Sequence, residues 1–445
     1  MAMEQPWKGR RLHFVGAGGC GMSGLALIAA QLGAGVTASD RSESLFTDAL
    51  EQAGIGVAIG HRSENVPSDA EIVVSAAIPL DNIERSAGRR RGQREMQRSS
   101  LLAELSRLRR CVAVAGTHGK TTTTAMLVHM LECCGMDPAF VVGGLLRSAG
   151  GHARWGTGPL VIEADESDRS LLKYDVDVAV LLNAELDHHA HYENEQQVHE
   201  VFAAFLEPAA HAVLPPEPAL LALRSGPVTI VPPVARRRIE SGRQLFAVGD
   251  VDVELPLPGA HNAANAAAAI ATAEVVGASR HRAAEALATF PGIARRFEFA
   301  GRSNAGASVF DDYGHHPTEV RATVDGVREL ASDRLIVVFQ PHLFSRTQHF
   351  ATAFADALRP ADVVVVCDVY PARERAEDWP GVSGRLISDA LAGDTDVRWA
   401  ATLDEASRLL DAELAAPDVC LVIGAGDVGT LARRLVEADE ATITR

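Results

Sequence analysis

Short apolar runs recur along this chain, most of them closed by glycine or by an acidic residue, and several followed by a stretch with helical spacing. Leu12–Val15 runs into Gly16–Gly24, and Cys111–Ala115 runs into Gly116–Thr121. Late in the chain Val419–Ile423 leads into Gly424-Ala425-Gly426. The same pattern gives strands at Gly35–Ser39, Leu160–Ile162, Val178–Leu182, Ser308–Phe310 and Arg334–Phe339. Strands that alternate with helices predict an α/β fold with parallel sheets. Thr122–Cys133 reads as a helix, and so does Asn262–Val276, whose alanines favour one.

Two interruptions divide the chain. Arg85–Arg98 is basic, poorly patterned and reads as a solvated loop or helix face; a boundary follows it near residue 107. The breaker cluster Phe290-Pro291-Gly292 precedes a second boundary near residue 300. The expected segments are 1–107, 108–300 and 301–445. Pro215–Pro233 is proline-rich and reads as loop, with a short helix around Leu220–Arg224. No short repeat of solenoid type is present.

A length of 445 residues allows two to four domains, each with its own core. The formal charge of -16 argues against a general nucleic-acid binder. It does not exclude a small phosphate-bearing substrate, which needs only local positive charge and backbone donors. The start runs almost directly into a strand pattern, with no apolar stretch ahead of a cleavage site, and no apolar run reaches membrane-spanning length. A cytoplasmic protein is expected. The six cysteines are scattered without CxxC pairing or metal-type spacing, and are expected as core thiols in a reducing compartment.

The first glycine-rich turn, Gly16-Ala17-Gly18-Gly19-Cys20-Gly21-Met22-Ser23-Gly24, contains GxGxxG at Gly16, Gly18 and Gly21. Glycines there let backbone N–H groups approach an anion at a helix N-terminus. Asp40 follows the next strand, where an acid can bind a ribose hydroxyl. The turn alone suggests a dinucleotide or a UDP-type ligand; a ligand-free strand–helix turn is the competing reading.

The second turn is Gly116-Thr117-His118-Gly119-Lys120-Thr121. Lys120 would neutralise phosphate charge and the Thr121 hydroxyl would sit on Mg²⁺. Val114 stands where the strict phosphate-loop pattern has its first glycine. Two acidic segments follow predicted strands: Glu163-Ala164-Asp165-Glu166-Ser167-Asp168 and Asn183-Ala184-Glu185-Leu186-Asp187-His188. Carboxylates at strand ends can hold Mg²⁺ against phosphates; for any single acid, helix capping is the stronger reading. Hard oxygens favour Mg²⁺ over a zinc site built on His188, His189 and His191.

Further on, Asn262 and Asn265 lie three apart on one helix face, where asparagine is poorly placed without a hydrogen-bonding task. Arg295 and Arg296 could grip phosphate or be surface charge. Asp311-Asp312-Tyr313-Gly314-His315-His316-Pro317 follows a short strand, with capping by Asp311 as good a reading as chemistry.

Taken in order, HFVGAGGCGMSG, GTHGKTTT, EADESD, NAELDHH, LPGAHNAANA, RRFEFAG, DDYGHHPTEV, FQPHLFSRT and GAGD resemble the Mur ligase family over nearly the whole chain. The glycine-rich start together with DDYGHHP is most similar to the member that adds L-alanine to UDP-N-acetylmuramate. The resemblance implies three α/β domains: a Rossmann-like UDP-binding domain, a central P-loop ATPase with a parallel sheet, and a Rossmann-like C-terminal domain that closes over the site. It implies ATP as co-substrate, Mg²⁺ or Mn²⁺ as metal, and UDP-N-acetylmuramate and L-alanine as substrates. It implies a monomer or homodimer without nucleic acid or membrane insertion.

The resemblance also assigns residues. Lys120, Glu163, His188, Asp312 and His315 form the catalytic set, and Thr121, Glu163 and His188 the metal set. Gly116, Thr117, His118, Gly119, Lys120, Thr121, Thr122, Asn262, Asn265, Arg296 and Asp312 serve ATP. Gly16, Gly18, Gly19, Gly21, Met22, Ser23, Asp40 and Ser75 serve the UDP-sugar. Tyr313, His315 and Arg346 stand near the incoming amino acid. This chain has Leu343 and Phe344 where the family often has Arg-Tyr, so one substrate-facing arginine is absent; Arg85–Ser100 departs most. The competing readings are a tripeptide-adding recycling ligase, a non-catalytic nucleotide-binding regulator, and an oxidoreductase resting on GxGxxG alone, which leaves the phosphate loop unexplained.

Overall fold

The computed structural model describes residues 5–147, 151–187, 191–393 and 395–437. The chain falls into two compact units: Met1–Val234 with Val248–Val253 and Asn265–Pro291, and Ala235–Ala247 with Glu254–Ala264 and Gly292–Arg445.

The first unit holds two sheets. Strands β1 (Arg11–Val15), β2 (Gly35–Asp40), β3 (Gly56–Ile59), β4 (Glu71–Val74) and β5 (Glu95–Gln97) pair in the order β3-β2-β1-β4-β5, all parallel. Helices α1 (Cys20–Gln31), α2 (Leu45–Gln52) and α3 (Ile83–Arg90) connect them, and α4 (Arg98–Ser106) leads to the second sheet. That sheet contains β6 (Cys111–Ala115), β7 (Ala139–Leu146), β8 (Gly151–Arg154), β9 (Leu160–Glu163), β10 (Val178–Leu181), β11 (His211–Leu214) and β12 (Val228–Ile230). Its order is β12-β11-β10-β6-β9-β7-β8, with β8 antiparallel to β7. Helix α5 (Lys120–Cys133) follows β6.

All five residues of β6 are buried, as are the four of β10. A strand covered on both faces loses the alternation of a half-exposed one and reads as an unbroken apolar run. Each fully buried valine or leucine stabilises by about 1.5–3 kcal/mol relative to exposure. Helix α1 shares one core with both sheets: Leu25 and Ile28 belong to the same buried cluster as Phe14, Val141 and Trp155. Gly24 permits this packing, because an added Cβ would come within 3.3 Å of Ala153, His152 and Val141. The glycine-rich turn ahead of α1 is thereby fixed beside the second sheet.

In the second unit, Ser308–Asp312, Val419–Ile423, Leu335–Phe339, Val363–Cys367 and Asp396–Ala400 pair in that order as a parallel sheet. Glu298–Arg302 lies antiparallel on one edge. Asp312 and Phe339 both register with Ile423, so these strands end together. Ligands bind outside such carboxyl ends in open α/β sheets.

Several expectations are corrected. Arg85–Arg98 is not a loop: it carries most of α3 and all of β5, Arg89 and Arg90 are exposed on the helix, and Arg85 is buried with a bidentate bond to Glu95 at 3.2 and 2.6 Å. Arginine content hid the elements, because Arg85, Arg89 and Arg94 face glutamates that composition does not reveal. The proline-rich segment contains helix Pro218–Leu221 and strand β12. Cys111, Cys367 and Cys420 are buried as expected, but Cys133 is exposed. The alanine-rich helix runs over Ala260–Val275. No helix among the described residues is long and apolar enough to cross a membrane.

Candidate active site

The turn after β1 is held by the end of β2. Gly16 and Ala17 donate their N–H groups to the Ser39 carbonyl at 2.9 and 3.0 Å. The Asp40 carboxylate, expected on a ribose, accepts Gly18 N–H at 2.7 Å and Ser42 N–H at 3.2 Å. Both of its oxygens therefore already shape the turn. Ser75 abuts Gly16, where an added Cβ would meet the serine Cβ at 3.3 Å. Met22 and Ser23 are buried, and Ser23 Oγ lies 2.7 Å from His152 Nε2. Any part of these two residues in ligand binding would fall to the backbone. Gly19 stands as the N-cap of α1 without a side-chain cap, with open space where its Cβ would be. An uncapped helix start leaves N–H groups for an anion.

Beneath this turn lies a buried carboxylate that the sequence did not single out. Glu84 is fully buried and accepts from Ser39 Oγ at 2.5 Å, Asn65 Nδ2 at 2.6 Å and Arg62 N–H at 3.2 Å. His61 Nδ1 lies 3.0 Å away and His13 Nε2 3.9 Å away. Burial by itself raises a carboxyl pKa, but nearby His13 and the hydrogen bonds of Ser39, Asn65 and His61 outweigh it and hold Glu84 down to about 2.

The turn after β6 is the second anchor. Gly119 takes the left-handed conformation (φ 81°) and starts α5 with no side-chain cap. An alanine there would also drive its Cβ to 2.5 Å from Asn265 Oδ1. Asn183 grips the turn from the other side: its Oδ1 accepts His118 N–H at 2.8 Å and its Nδ2 donates to the His118 carbonyl at 3.0 Å. Thr117 Oγ1 donates to the Glu185 carbonyl at 3.0 Å and accepts its N–H at 2.9 Å. Thr122 is buried in the first turn of α5.

Lys120 and Thr121 face the acids of the next strand. Lys120 Nζ donates to the Gly116 carbonyl at 2.7 Å and to Glu166 at 2.9 and 3.1 Å. Burial lowers its pKa, yet Glu166, Asp165 and Glu163 together raise it, so the ammonium persists. Thr121 Oγ1 lies 3.0 Å from each oxygen of Glu163, and Gly143 N–H fixes that carboxylate at 2.9 Å. The β6–β9 register, with Val114 opposite Glu163, creates the meeting. Asp165 and Asp168 instead close local turns, accepting from Ser167 and Ser170 N–H. His188 and His189 lie outside the described residues.

The second unit carries the remaining set. Asn262 donates to the Pro258 carbonyl at 2.7 Å. Asp312 is buried, accepting Phe297 N–H at 2.8 Å and Gly314 N–H at 2.7 Å. Burial raises its pKa against the opposing pull of Arg296 and those two amides. The guanidinium of Arg296 stands 5.2 Å from the Tyr313 ring centre, and Arg295 stands 5.1 Å from it. The two histidines differ in role. His316 is buried and caps helix Pro317–Arg328; His315 is half-buried, with Nδ1 3.2 Å from the Tyr313 carbonyl.

His315 opens a row of rings that the sequence did not mark. Tyr313, His315, His342 and Tyr370 follow one another at 5.6, 5.9 and 5.8 Å between ring centres. Burial, reinforced by Arg346, pushes His342 down to about 4, so this imidazole is neutral near pH 7. Among the described residues its Nδ1 has no hydrogen-bond partner. Arg346 is buried in helix Phe344–Leu358, whose N-cap, Leu343, is held at φ 71°. A leucine in that region is strained backbone. The available signal for His342 was its place at a strand end in FQPH.

Comparison with known proteins follows this geometry. The Mur ligase family catalytic domain matches residues 11–110, the Mur ligase middle domain residues 114–215, and the Mur ligase glutamate ligase domain residues 295–426. The UDP-N-acetylmuramate–L-alanine ligase of Renibacterium salmoninarum is 41% identical over 96% of this chain and 96% of its own. That of Thermobifida fusca is 40% identical, again over 96% of both. Among solved structures, the UDP-N-acetylmuramate-alanine ligase of Thermotoga maritima matches with a TM-score of 0.83 at 28% identity, over 97% of this chain and 99% of that one. A murein peptide ligase from Psychrobacter arcticus matches at 0.71 and 25%, over 97% and 98%. With a phosphate-type loop, its facing acids and near-complete coverage by such relatives, the chain belongs to the Mur ligase family.

Proposed function

We propose that this chain joins L-alanine to the lactyl carboxylate of UDP-N-acetylmuramate, converting ATP to ADP and phosphate and giving UDP-N-acetylmuramoyl-L-alanine. The observation that carries the reading is the convergence of Lys120, Thr121 and Glu163 on an uncapped helix start. The identity of about 40% to L-alanine ligases over nearly the full chain supports the choice of substrates. Residues 1–107 hold the UDP-sugar, 108–300 hold ATP, and 301–445 receive the amino acid. ATP use puts the reaction in the cytoplasm.

The lactyl carboxylate attacks the γ-phosphorus of ATP. A carboxyl O–P bond forms, the bond to the β-phosphate oxygen breaks, and ADP leaves. Lys120 counters the charge on the transferring group, and the free N–H groups of the first turn of α5 hold the phosphate oxygens. The neutral amine of L-alanine then attacks the acyl carbon, the tetrahedral intermediate expels phosphate, and the amine loses a proton. Arg346 pairs with the alanine carboxylate, and Tyr313 and His315 line its side. His315 is a candidate acceptor of the amine proton, with binding as the equal alternative.

The hydroxyl of Thr121 and the carboxylate of Glu163 are hard oxygen donors already directed at each other, which fits Mg²⁺ or Mn²⁺. These two residues would hold the ion, with His188 as the third. Bound there, a divalent cation neutralises phosphate charge.

Phosphate release from ATP and Mg²⁺ tests the reading, with UDP-N-acetylmuramate present and L-alanine, the tripeptide or no amine added. Release that requires both the sugar and L-alanine is expected. Release driven by the tripeptide alone would transfer the chain to peptide recycling. Nucleotide binding without turnover would leave a regulator.

A further inference from the structure

We infer that Arg373 grips the carboxylate of the incoming amino acid together with Arg346, which rests on the reading of residues 301–445 as the part that receives it. The strands Leu335–Phe339 and Val363–Cys367 are parallel neighbours, so the segments that follow them leave the sheet side by side. Those segments are tied together. Tyr370 N–H donates to the Pro341 carbonyl at 2.9 Å, and Leu343 N–H donates to the Tyr370 carbonyl at 3.0 Å. Ser345 gives its N–H, at 3.0 Å, and its hydroxyl to the Glu374 carboxylate. Arg346 follows Ser345 and Arg373 precedes Glu374, so the two arginines flank one cross-link.

Both segments are also strained. Leu343 is held at φ 71° and Ala372 at φ 50°. Glu374 N–H closes a tight turn on the Pro371 carbonyl at 2.9 Å, with Ala372 and Arg373 at its tip. Left-handed backbone at non-glycine residues persists where the surroundings impose it, and it gathers at ligand clamps.

The charges in this place call for an anion. Arg346 is buried and is the one arginine on its segment, because position 343 is leucine. Arg373 brings a second guanidinium from the neighbouring loop. It is exposed, and among the described residues it has no hydrogen-bond or ion-pair partner. Arg375, two positions on, is exposed as well but lies 3.8 Å from Glu377. Burial first, then Arg346 and Arg373, make His342 less basic, so both cations act on one imidazole. Two guanidinium forks from adjacent strand ends suit a small planar oxyanion, and an α-carboxylate is one.

The test is steady-state phosphate release by the full chain and its R373A, R373K and R375A variants, with KM measured for L-alanine, ATP and UDP-N-acetylmuramate. Loss of a charge-assisted contact predicts a KM for L-alanine about tenfold higher in R373A, with kcat and the other two KM values within about twofold of the parent. R373K, which keeps the charge without the fork, falls between, and R375A matches the parent. L-Alaninamide, which lacks the carboxylate, supplies the readout that a structural role would not move: the preference for L-alanine over it, as a ratio of kcat/KM, narrows in R373A. An R373A enzyme with the parent's KM for L-alanine, or with the parent's preference over the amide, overturns the inference. Absence of L-alanine-dependent release in the parent sinks the underlying reading, and this inference with it. Melting temperatures are recorded throughout, and R373K carries the comparison should R373A melt early.

Discussion

Thr121 Oγ1 stands 3.0 Å from both carboxylate oxygens of Glu163, although the residues are 42 positions apart. The Glu163 carboxylate also accepts Gly143 N–H at 2.9 Å, which fixes its orientation. Their convergence next to Lys120 is the feature around which the expected chemistry turns.

Glu163→Gln keeps size and the Gly143 contact but removes the charge. Turnover should fall by roughly 10²–10³-fold, the scale of losing one preorganised charge-stabilising group. Chelation of the divalent ion should abolish turnover in the parent. UDP-N-acetylmuramate binding, followed by calorimetry, should stay near the parent value. Full activity in the Gln variant would remove Glu163 from the site.

Lys120→Met should separate stability from activity. Glu166 is 2% exposed and would lose the cation that faces it. Breaking such a pair costs about 3–5 kcal/mol. The double variant K120M/E166Q should regain most of that stability and none of the activity. Chemical denaturation and phosphate release read the two effects; a double variant as unstable as K120M would contradict the pairing.

Glu84 should tie stability to pH. Its folded pKa is depressed from 4.5 to about 2, so its contribution is present above about 4.5 and is lost as pH falls through about 2. The shift corresponds to about 3 kcal/mol at 1.36 kcal/mol per unit. Glu84→Gln should therefore be less stable than the parent at pH 6, with the gap closing toward pH 2. Urea melts across that range decide it, and a gap independent of pH would speak against an ionised Glu84.

Arg346→Ala should raise KM for L-alanine by about 10–100-fold, the worth of a hydrogen bond to a charged group. KM for ATP and for the UDP-sugar should hardly move. Arg346→Lys should recover part of the loss, since charge returns without the fork. Equal increases in all three KM values would point to a misfolded second unit instead.

Much of this molecule could be read along the chain. β6 announced itself as five apolar residues because both its faces are covered, and Gly119-Lys120-Thr121 followed it at the expected distance. Asp312 was legible as a strand-end acid, though not that Phe297 and Gly314 amides would occupy its oxygens. The loop reading of Arg85–Arg98 failed, because Arg85 looks solvated until its glutamate is seen.

The sequence by itself determined the buried strands that carry the site, the two glycine-rich turns and the residue types able to bind phosphate and metal. Those follow from burial and backbone geometry, which act over a few neighbouring residues. Only the tertiary structure decided that Glu163 meets Thr121 while Glu166 takes Lys120, and that His342 stacks with Tyr370. Such pairings depend on strand order and register, as in Val114 opposite Glu163, and local pattern carries no record of which distant strand will lie alongside.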